Sequence, residues 1–306
     1  MTASTVLGLD VRCDADLPFL EEATAAPTGR ALRVSVGDAP DWPAVARLIS
    51  DEREPDGSVN FQIEDGGEAG YRIAGPRFGA STISADGTRL WGVPGEGGIV
   101  AWQRMLIAQA LPFVVVMRGL EVLHASAVAG EGGAVAFTGP SGTGKTSLAL
   151  ALVRRGATLL ADDVLALERG GDELLAHPGT PVAGVEAGEA ARLDRDGGGS
   201  GPVLASDPRE RIARTRLAAA PLPLRALFLL ERSADAGQPR FEPTADPQLL
   251  LSATFNLLLN SPTRLSGLLE VCATLARRRV ERVVFGPDVV PEALAAAIEA
   301  RLGRPA

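Results

Sequence analysis

The sequence predicts an α/β fold built around a phosphate-binding loop, preceded by a β-rich region. Three observations carry that expectation. "GPSGTGKT", Gly139 to Thr146, matches G-x-x-x-x-G-K-[ST] in full. An apolar strand-like run, "GAVAFTG", leads into it, and "GKTSLALALVRRG" continues as a helix closed by Gly156. "ATLLADD" then supplies a second strand, so the order is βαβ, which implies a sheet with parallel pairing and a right-handed crossover.

Residues 1–97 read as the β-rich region. "ALRVSV", "VNFQIED" and "RFGASTISADGTRLWGV" alternate loosely and are broken by Gly, Asp and Pro, as half-buried antiparallel strands would be. Residues 98–119, containing "IVAWQRMLIAQAL", read as a linking helix. Its most apolar part, "MLIAQALPFVVVM", is too short to cross a bilayer and is interrupted by Pro112, so protein interior is expected there. Residues 120–306 form the phosphate-loop domain. Within it "VLALERGGDELLAHPG" reads as a hairpin with His177 in a turn, and "LRALFLLER" as a buried strand. "PQLLLSATFNLLL", "PTRLSGLLEVCATLARRR" and "PEALAAAIEARL" read as helices, the second closed by Arg277, Arg278 and Arg279. "LDRDGGGSGPVLASDPRERIARTR" reads as a mobile surface loop that could close over a site or dock a partner.

Composition narrows the classes of function. Of 306 residues 46% are hydrophobic and only 4% aromatic, so aliphatic side chains must fill the core. The net charge of −8 gives no basic footprint and argues against nucleic acid as a partner. Cys13 and Cys272 lack metal-type spacing and are too few for a disulfide framework. With no basic-then-apolar start, the chain is expected in the cytoplasm, off the membrane. Lys and Arg total 30, yet Lys145 is the single lysine. Lysine survives where a compact ammonium is needed and a guanidinium fork would not fit.

The chemistry gathers around that lysine. Backbone N–H groups of Gly139, Pro140, Ser141, Gly142, Thr143, Gly144 and their neighbours (Pro140 contributing only its turn) would curl around phosphates, with the helix N-terminus behind them. Lys145 would reach the β- and γ-phosphates, and the Thr146 hydroxyl would ligate Mg²⁺, with Ser147 following in the first turn. Asp162 lies only 17 positions beyond Lys145 (162 − 145), with Asp163 directly after it. At a strand C-terminus they would face the ligand crevice, pointing to opposite sides. One carboxylate would serve the metal and the other take a proton from an acceptor; a pair that caps a turn is the structural alternative. His124, in "LHAS", is either a satisfied core histidine or part of the site.

"LHASAVAGEGGAVAFTGPSGTGKTSLALALVRRGATLLADDV" resembles the core of the HPr kinase/phosphorylase family, in the spacing of His124, the phosphate loop and the acid pair. The resemblance implies a P-loop kinase core of the HPr kinase / phosphoenolpyruvate carboxykinase type. It also implies ATP and Mg²⁺ as cofactors and phosphoryl transfer to a serine hydroxyl. On the matching positions it makes Asp162 the base, Asp163 a metal ligand and His124 a neighbour of the γ-phosphate. Ser147 stands where the family has a glutamate. "RIARTRLAAAPLPLRALFLL" occupies the place of the family's downstream signature and offers Arg214 or Arg216 for phosphate stabilisation. The N-terminal region and "PLPLRALFLLER" look like the HPr-kinase-related proteins of ribosomal-peptide pathways, lasso peptides included. That implies a peptide or small-protein acceptor, with a small-molecule acceptor or a nucleotide-driven regulatory module as alternatives, and a possible homo-oligomer. Lys145→Ala should abolish phosphoryl transfer and weaken ATP binding, as read by product mass and by calorimetric titration with Mg-ATP.

Overall fold

The computed structural model of the chain describes residues 2–20, 26–186, 210–214, 216–244, 246–255 and 258–303. Eight strands make the first sheet: β1 (Thr2–Val6), β2 (Leu9–Cys13), β3 (Ala31–Val36), β4 (Arg47–Arg53), β5 (Val59–Asp65), β6 (Tyr71–Gly75), β7 (Gly79–Ile83) and β8 (Arg89–Pro94). Their order is β1-β2-β3-β8-β7-β6-β5-β4. The β-rich expectation holds, but the sheet is not wholly antiparallel, because β3 runs parallel to both β2 and β8. A two-residue turn joins β1 to β2 with positive φ at Leu7 (54°) and Gly8 (78°), which matches the right-handed twist of the flanking strands. Leu7 is 1% exposed and its N–H donates to the Pro178 carbonyl at 2.7 Å, so this turn is docked into the second half of the chain.

Helix α1 spans Gly98–Met117. Its first turns carry Trp102, which is fully buried and whose indole N–H lies within hydrogen-bonding reach of the Ala80 carbonyl (3.2 Å) and the Ser81 hydroxyl (3.1 Å). Leu106–Ala110 forms a π-helical segment, and the α-helix resumes at Leu111. Pro112 therefore does not interrupt the helix. Proline cannot donate to the carbonyl four residues back, and the wider π turn lies where that hydrogen bond would be missing. At 20 residues and mean hydropathy 1.6 this helix is long and apolar enough to cross a membrane, contrary to the expectation from its shorter apolar core. In the fold 72% of its 18-residue apolar window is buried.

The second sheet is built from β9 (Glu121–Leu123), β10 (Ala125–Gly130), β11 (Gly133–Thr138), β12 (Thr158–Ala161), β13 (Leu165–Gly170), β14 (Glu173–Ala176), β17 (Leu222–Arg232), β18 (Arg240–Pro243) and β19 (Arg279–Phe285). A separate ribbon pairs β15 (Val182–Glu186) with β16 (Glu210–Arg214). Helix α2 (Lys145–Arg154) leads from β11 to β12. These two strands run in the same direction but are not neighbours, because β10 lies between them and pairs antiparallel with each. The expected adjacent parallel pair is thus replaced by a three-strand arrangement. True parallel pairing occurs instead at β11–β17 and β17–β19.

Strand β17 is buried on both faces, which explains its near-continuous apolar run. Leu227 and Leu229 face a core that includes Leu268, Val271 and Leu275 of helix α4 (Pro262–Ala276). Ala226, Phe228 and Leu230 face the opposite core, with Leu148 and Leu152 of α2 and Leu294 and Ile298 of helix α5 (Pro291–Leu302). The expected helix "PQLLLSATFNLLL" is much shorter: α3 covers Pro247–Ser252. Its continuation pairs with the edge of β9 instead, where Phe255 N–H donates to Val122 and Thr254 bridges to Leu123. Of the arginine run, Arg279 belongs to β19 rather than a helix end.

His177 is not a plain turn residue. It is 2% exposed, with Nε2 2.8 Å from the Glu168 carboxylate, which also pairs with Arg30 of the first half. Cys13 and Cys272 are buried free thiols. The segment expected as a mobile loop lies largely outside the described residues. Packing of the first sheet on α1 depends on Gly92 of β8, where a Cβ would meet the Trp102 ring at 1.9 Å. Gly92→Ala should therefore destabilise the fold by about 1–3 kcal/mol or more, read as a lower midpoint in urea.

Candidate active site

Strand β11 delivers the chain to the phosphate loop, and the loop turns on three glycines with positive φ: Gly139 (147°), Gly142 (79°) and Gly144 (96°). Gly139 is obligatory on packing grounds, because a Cβ there would lie 2.5 Å from the Leu230 carbonyl of β17. Pro140, Ser141 and Gly142 form the exposed tip, whereas Thr143 is buried and its hydroxyl donates to the Pro140 carbonyl at 2.8 Å. Gly144 caps α2 without any side-chain hydrogen bond. The first-turn N–H groups therefore have no acceptor from a capping side chain or from the helix itself, which suits an anion.

Lys145 is 7% exposed, and its ammonium donates to the Gly139 carbonyl at 3.0 Å. Burial lowers its pKa, opposed by the charges of Asp163 and Asp162. Thr146 and Ser147 are half-buried in the first turn of α2. Strand β12 ends at Ala161, so the acid pair sits just beyond the strand rather than on it. Asp163 adopts φ 67°, and Val164 N–H closes a tight turn onto the Asp162 carbonyl at 2.8 Å. This left-handed turn, not strand alternation, sends the two side chains apart.

Asp162 Oδ1 accepts from the Thr146 hydroxyl at 2.8 Å and from the Ser126 hydroxyl at 2.6 Å, while Oδ2 accepts from Gly184 N–H at 3.2 Å. Burial pushes its pKa up to about 6, with the Asp163 charge adding to the rise and the three hydrogen bonds opposing it. Asp163 is 56% exposed, with Oδ1 3.3 Å from His124 Nδ1. His124 is fixed through its backbone: its N–H donates to Ala253, and its carbonyl accepts from Thr138 at the end of β11. His124 is thus no core histidine. Asp162, expected as the base, lies on the loop threonine, and Asp163, expected at the metal, faces outward beside the histidine.

The side chain of Arg214, at the end of β16, lies outside the described residues. Arg216 is exposed, and no hydrogen bond joins it to either acid. The structure adds residues that the sequence reading passed over. Ser126 is fully buried in β10, two positions beyond His124, which lies in the bend between β9 and β10. Arg232 ends β17, stacks on the Phe285 ring at 5.0 Å, and donates to the Pro287 carbonyl at 2.6 Å. Its other amino group would lie 3.6 Å from a Cβ at Gly144, so a fixed guanidinium stands beside the loop. Arg104 of α1 lines a cavity of about 140 Å³ together with Thr146, Asp162, Asp163 and Thr180.

Among the described residues no group of three or more His, Cys, Asp or Glu could cage a metal. The Thr146 hydroxyl and Asp162 carboxylate are an all-oxygen pair. That set fits Mg²⁺, which keeps waters and takes substrate phosphate oxygens rather than filling its shell from protein.

No family model matches the chain, and no curated protein matches it. Among solved structures the chain is similar to the HPr(Ser) kinase/phosphatase from Coxiella burnetii. The identity is 17% and the TM-score 0.32, over 60% of this chain and 94% of that one. A likeness at that level assigns no function, so the site has to be read from its own geometry.

The displaced ionisation of Asp162 has a measurable consequence. The unfolded carboxyl ionises near 3.8 and the folded one near 6, so the native state holds the extra proton between those values. The stability this group contributes is full below about pH 4 and is lost as pH rises through 6. Asp162→Asn should then be more stable than the parent protein near pH 7.5 by roughly 1–3 kcal/mol, a gap that closes near pH 4 in urea titrations.

Proposed function

We propose that the protein transfers the γ-phosphoryl group of ATP to an acceptor hydroxyl, with a serine of a peptide or small protein as the leading acceptor. The observation that carries this reading is the division of labour in the acid pair: Asp162 is hydrogen-bonded to the loop threonine, and Asp163 is turned out toward His124. A nucleotide switch has need of the first carboxylate but not of a second one facing outward beside an imidazole.

The roles follow from position. Lys145 and the N–H groups of Gly142, Gly144 and Thr146 bind the ATP phosphates. Thr146 and Asp162 would hold Mg²⁺, which supplies charge neutralisation on the phosphates. Asp163 accepts the proton of the acceptor hydroxyl as its oxygen bonds to the γ-phosphorus and the bond to ADP breaks, and His124 orients that carboxylate. Ser126 and Gly184 hold the Asp162 carboxylate fixed. This exchanges the roles that the family resemblance implies for the two aspartates.

The deciding experiment incubates serine peptides and small alcohols with Mg-ATP and weighs the products, with Lys145→Ala as the blank. Asp163→Asn is expected to lose roughly 10²–10⁴-fold in transfer while retaining ATP affinity. Asp162→Asn is expected to weaken Mg-dependent ATP binding. Unimpaired transfer by Asp163→Asn, or ATP consumption with no acceptor gaining mass, would overturn the reading.

A further inference from the structure

The start of helix α2 lies between two unlike neighbours. Strands β11, β12 and β17 run in one direction and finish at one edge of the second sheet, with β12 two places to one side of β11 and β17 directly on the other. The acid pair follows β12 and meets the loop at Thr146, whereas Arg232 ends β17 and meets it at Gly144. Carboxylates and guanidinium therefore approach the loop from opposite sides. Arg232 is a preformed cation. Its register partner on β19 is the fully buried Phe285, and the guanidinium lies over that ring at 5.0 Å. One amino group donates to the Pro287 carbonyl at 2.6 Å. The other stands 3.6 Å from the place a Cβ would take on Gly144 and makes no hydrogen bond. Arg232 is exposed, and among the described residues no carboxylate pairs with it; the adjacent Glu231 pairs with Arg282 instead.

Resting on the phosphotransfer reading above, we propose that Arg232 binds the β-phosphate of the nucleotide and neutralises the charge that gathers on ADP as the γ-phosphoryl group leaves. The charge balance of the loop calls for such a group. Lys145 is the loop's own cation, and it lies in the field of two carboxylates. A polyphosphate adds further negative charge to that site, and on the Gly144 side Arg232 is the group that offsets it. Direction selects the phosphate. The acceptor enters at the acid pair, so the γ-phosphoryl group moves toward Asp163 and away from Arg232. In that step the acceptor oxygen bonds to the γ-phosphorus, and its proton goes to Asp163. The bridging bond to the γ-phosphorus breaks, and its electron pair stays on the ADP oxygen. What remains at the N-terminus of α2, beside Gly144, is the β-phosphate with that new charge. A guanidinium already fixed by a ring and a carbonyl meets it with little reorganisation, which is where electrostatic stabilisation is most effective.

The test reads binding without turnover, by calorimetric titration of the full chain with ADP, AMP and a non-hydrolysable ATP analogue in the presence of Mg²⁺. Arg232→Gln should weaken ADP and the ATP analogue by about tenfold or more, the range for a lost charge-assisted hydrogen bond. AMP, which lacks the β-phosphate, should bind the variant and the parent protein alike. Arg232→Lys keeps the charge without the fork and should recover part of the loss. It also carries the comparison if a melting curve shows the glutamine variant unfolded. At saturating Mg-ATP both variants should transfer phosphate with a lower kcat, Arg232→Gln the lower of the two. Unchanged ADP affinity, or an unchanged kcat, would overturn the proposal. So would an equal loss for AMP, which would move Arg232 to the α-phosphate, the ribose or the base. A mass assay on the serine peptides separates the two readings: ADP affinity that depends on Arg232 while no acceptor gains phosphate defeats phosphotransfer and leaves the β-phosphate contact in place.

Discussion

Strand β17 is the constraint on which the second half of the molecule is built. Its five large buried side chains, Leu224, Leu227, Phe228, Leu229 and Leu230, are divided between two cores and together contribute roughly 10 kcal/mol of gross burial energy, comparable to the whole net stability of a domain. The strand pairs with β11 along one edge, while along the other its start pairs with β14 and its longer remainder with β19. The phosphate loop rests on it through Leu230, whose carbonyl leaves room only for a glycine at position 139. Arg232 at its end then falls beside the loop without further cost, because parallel neighbours finish at the same edge of the sheet.

The acid pair is governed by a second constraint, the burial of like charges. Two carboxylates cannot both be drawn into the protein beside one lysine and stay ionised. Here one is drawn in and one is turned out. Asp162 is held by two hydroxyls and a backbone N–H yet still titrates near 6, and the left-handed conformation of Asp163 places its charge in solvent beside His124. Besides Leu7 in the docked β1–β2 turn, Asp163 is the non-glycine residue at positive φ among those described, and it stands at the position where that separation is needed.

Much of this was legible in the sequence wherever the signal was local. The loop, its helix, the strand before it and the β13–β14 hairpin are fixed by residues close together in the chain, and the spacing of the acid pair announced its place. What was not legible depends on distant partners. Nothing in "ATLLADD" says that β10 will lie between it and the loop strand, and nothing in "SATFN" says that the edge of β9 will draw it out of a helix. Strand β19 hid behind its arginines, since "RRRVERVV" reads equally well as a helix end. Arg104 carries no motif at all, and only the packing of α1 across the molecule brings it to the cavity. The fold class followed from periodicity, whereas the arrangement of Asp162 and Asp163 required coordinates, because a single backbone angle decides it.

The docked turn at Leu7 and Gly8 bears on how the chain is made. Its partners, Leu120, His177 and Pro178, are synthesised more than a hundred residues later. During translation this turn therefore emerges well before the residues it docks on, and its docking waits until β14 and Pro178 have left the ribosome. Long-range closure of this kind is slow, because loop entropy must be overcome before the contact forms. The turn of the first sheet is thus synthesised well before the contact that seals it, and a nascent chain halted before His177 would be a natural client for chaperones.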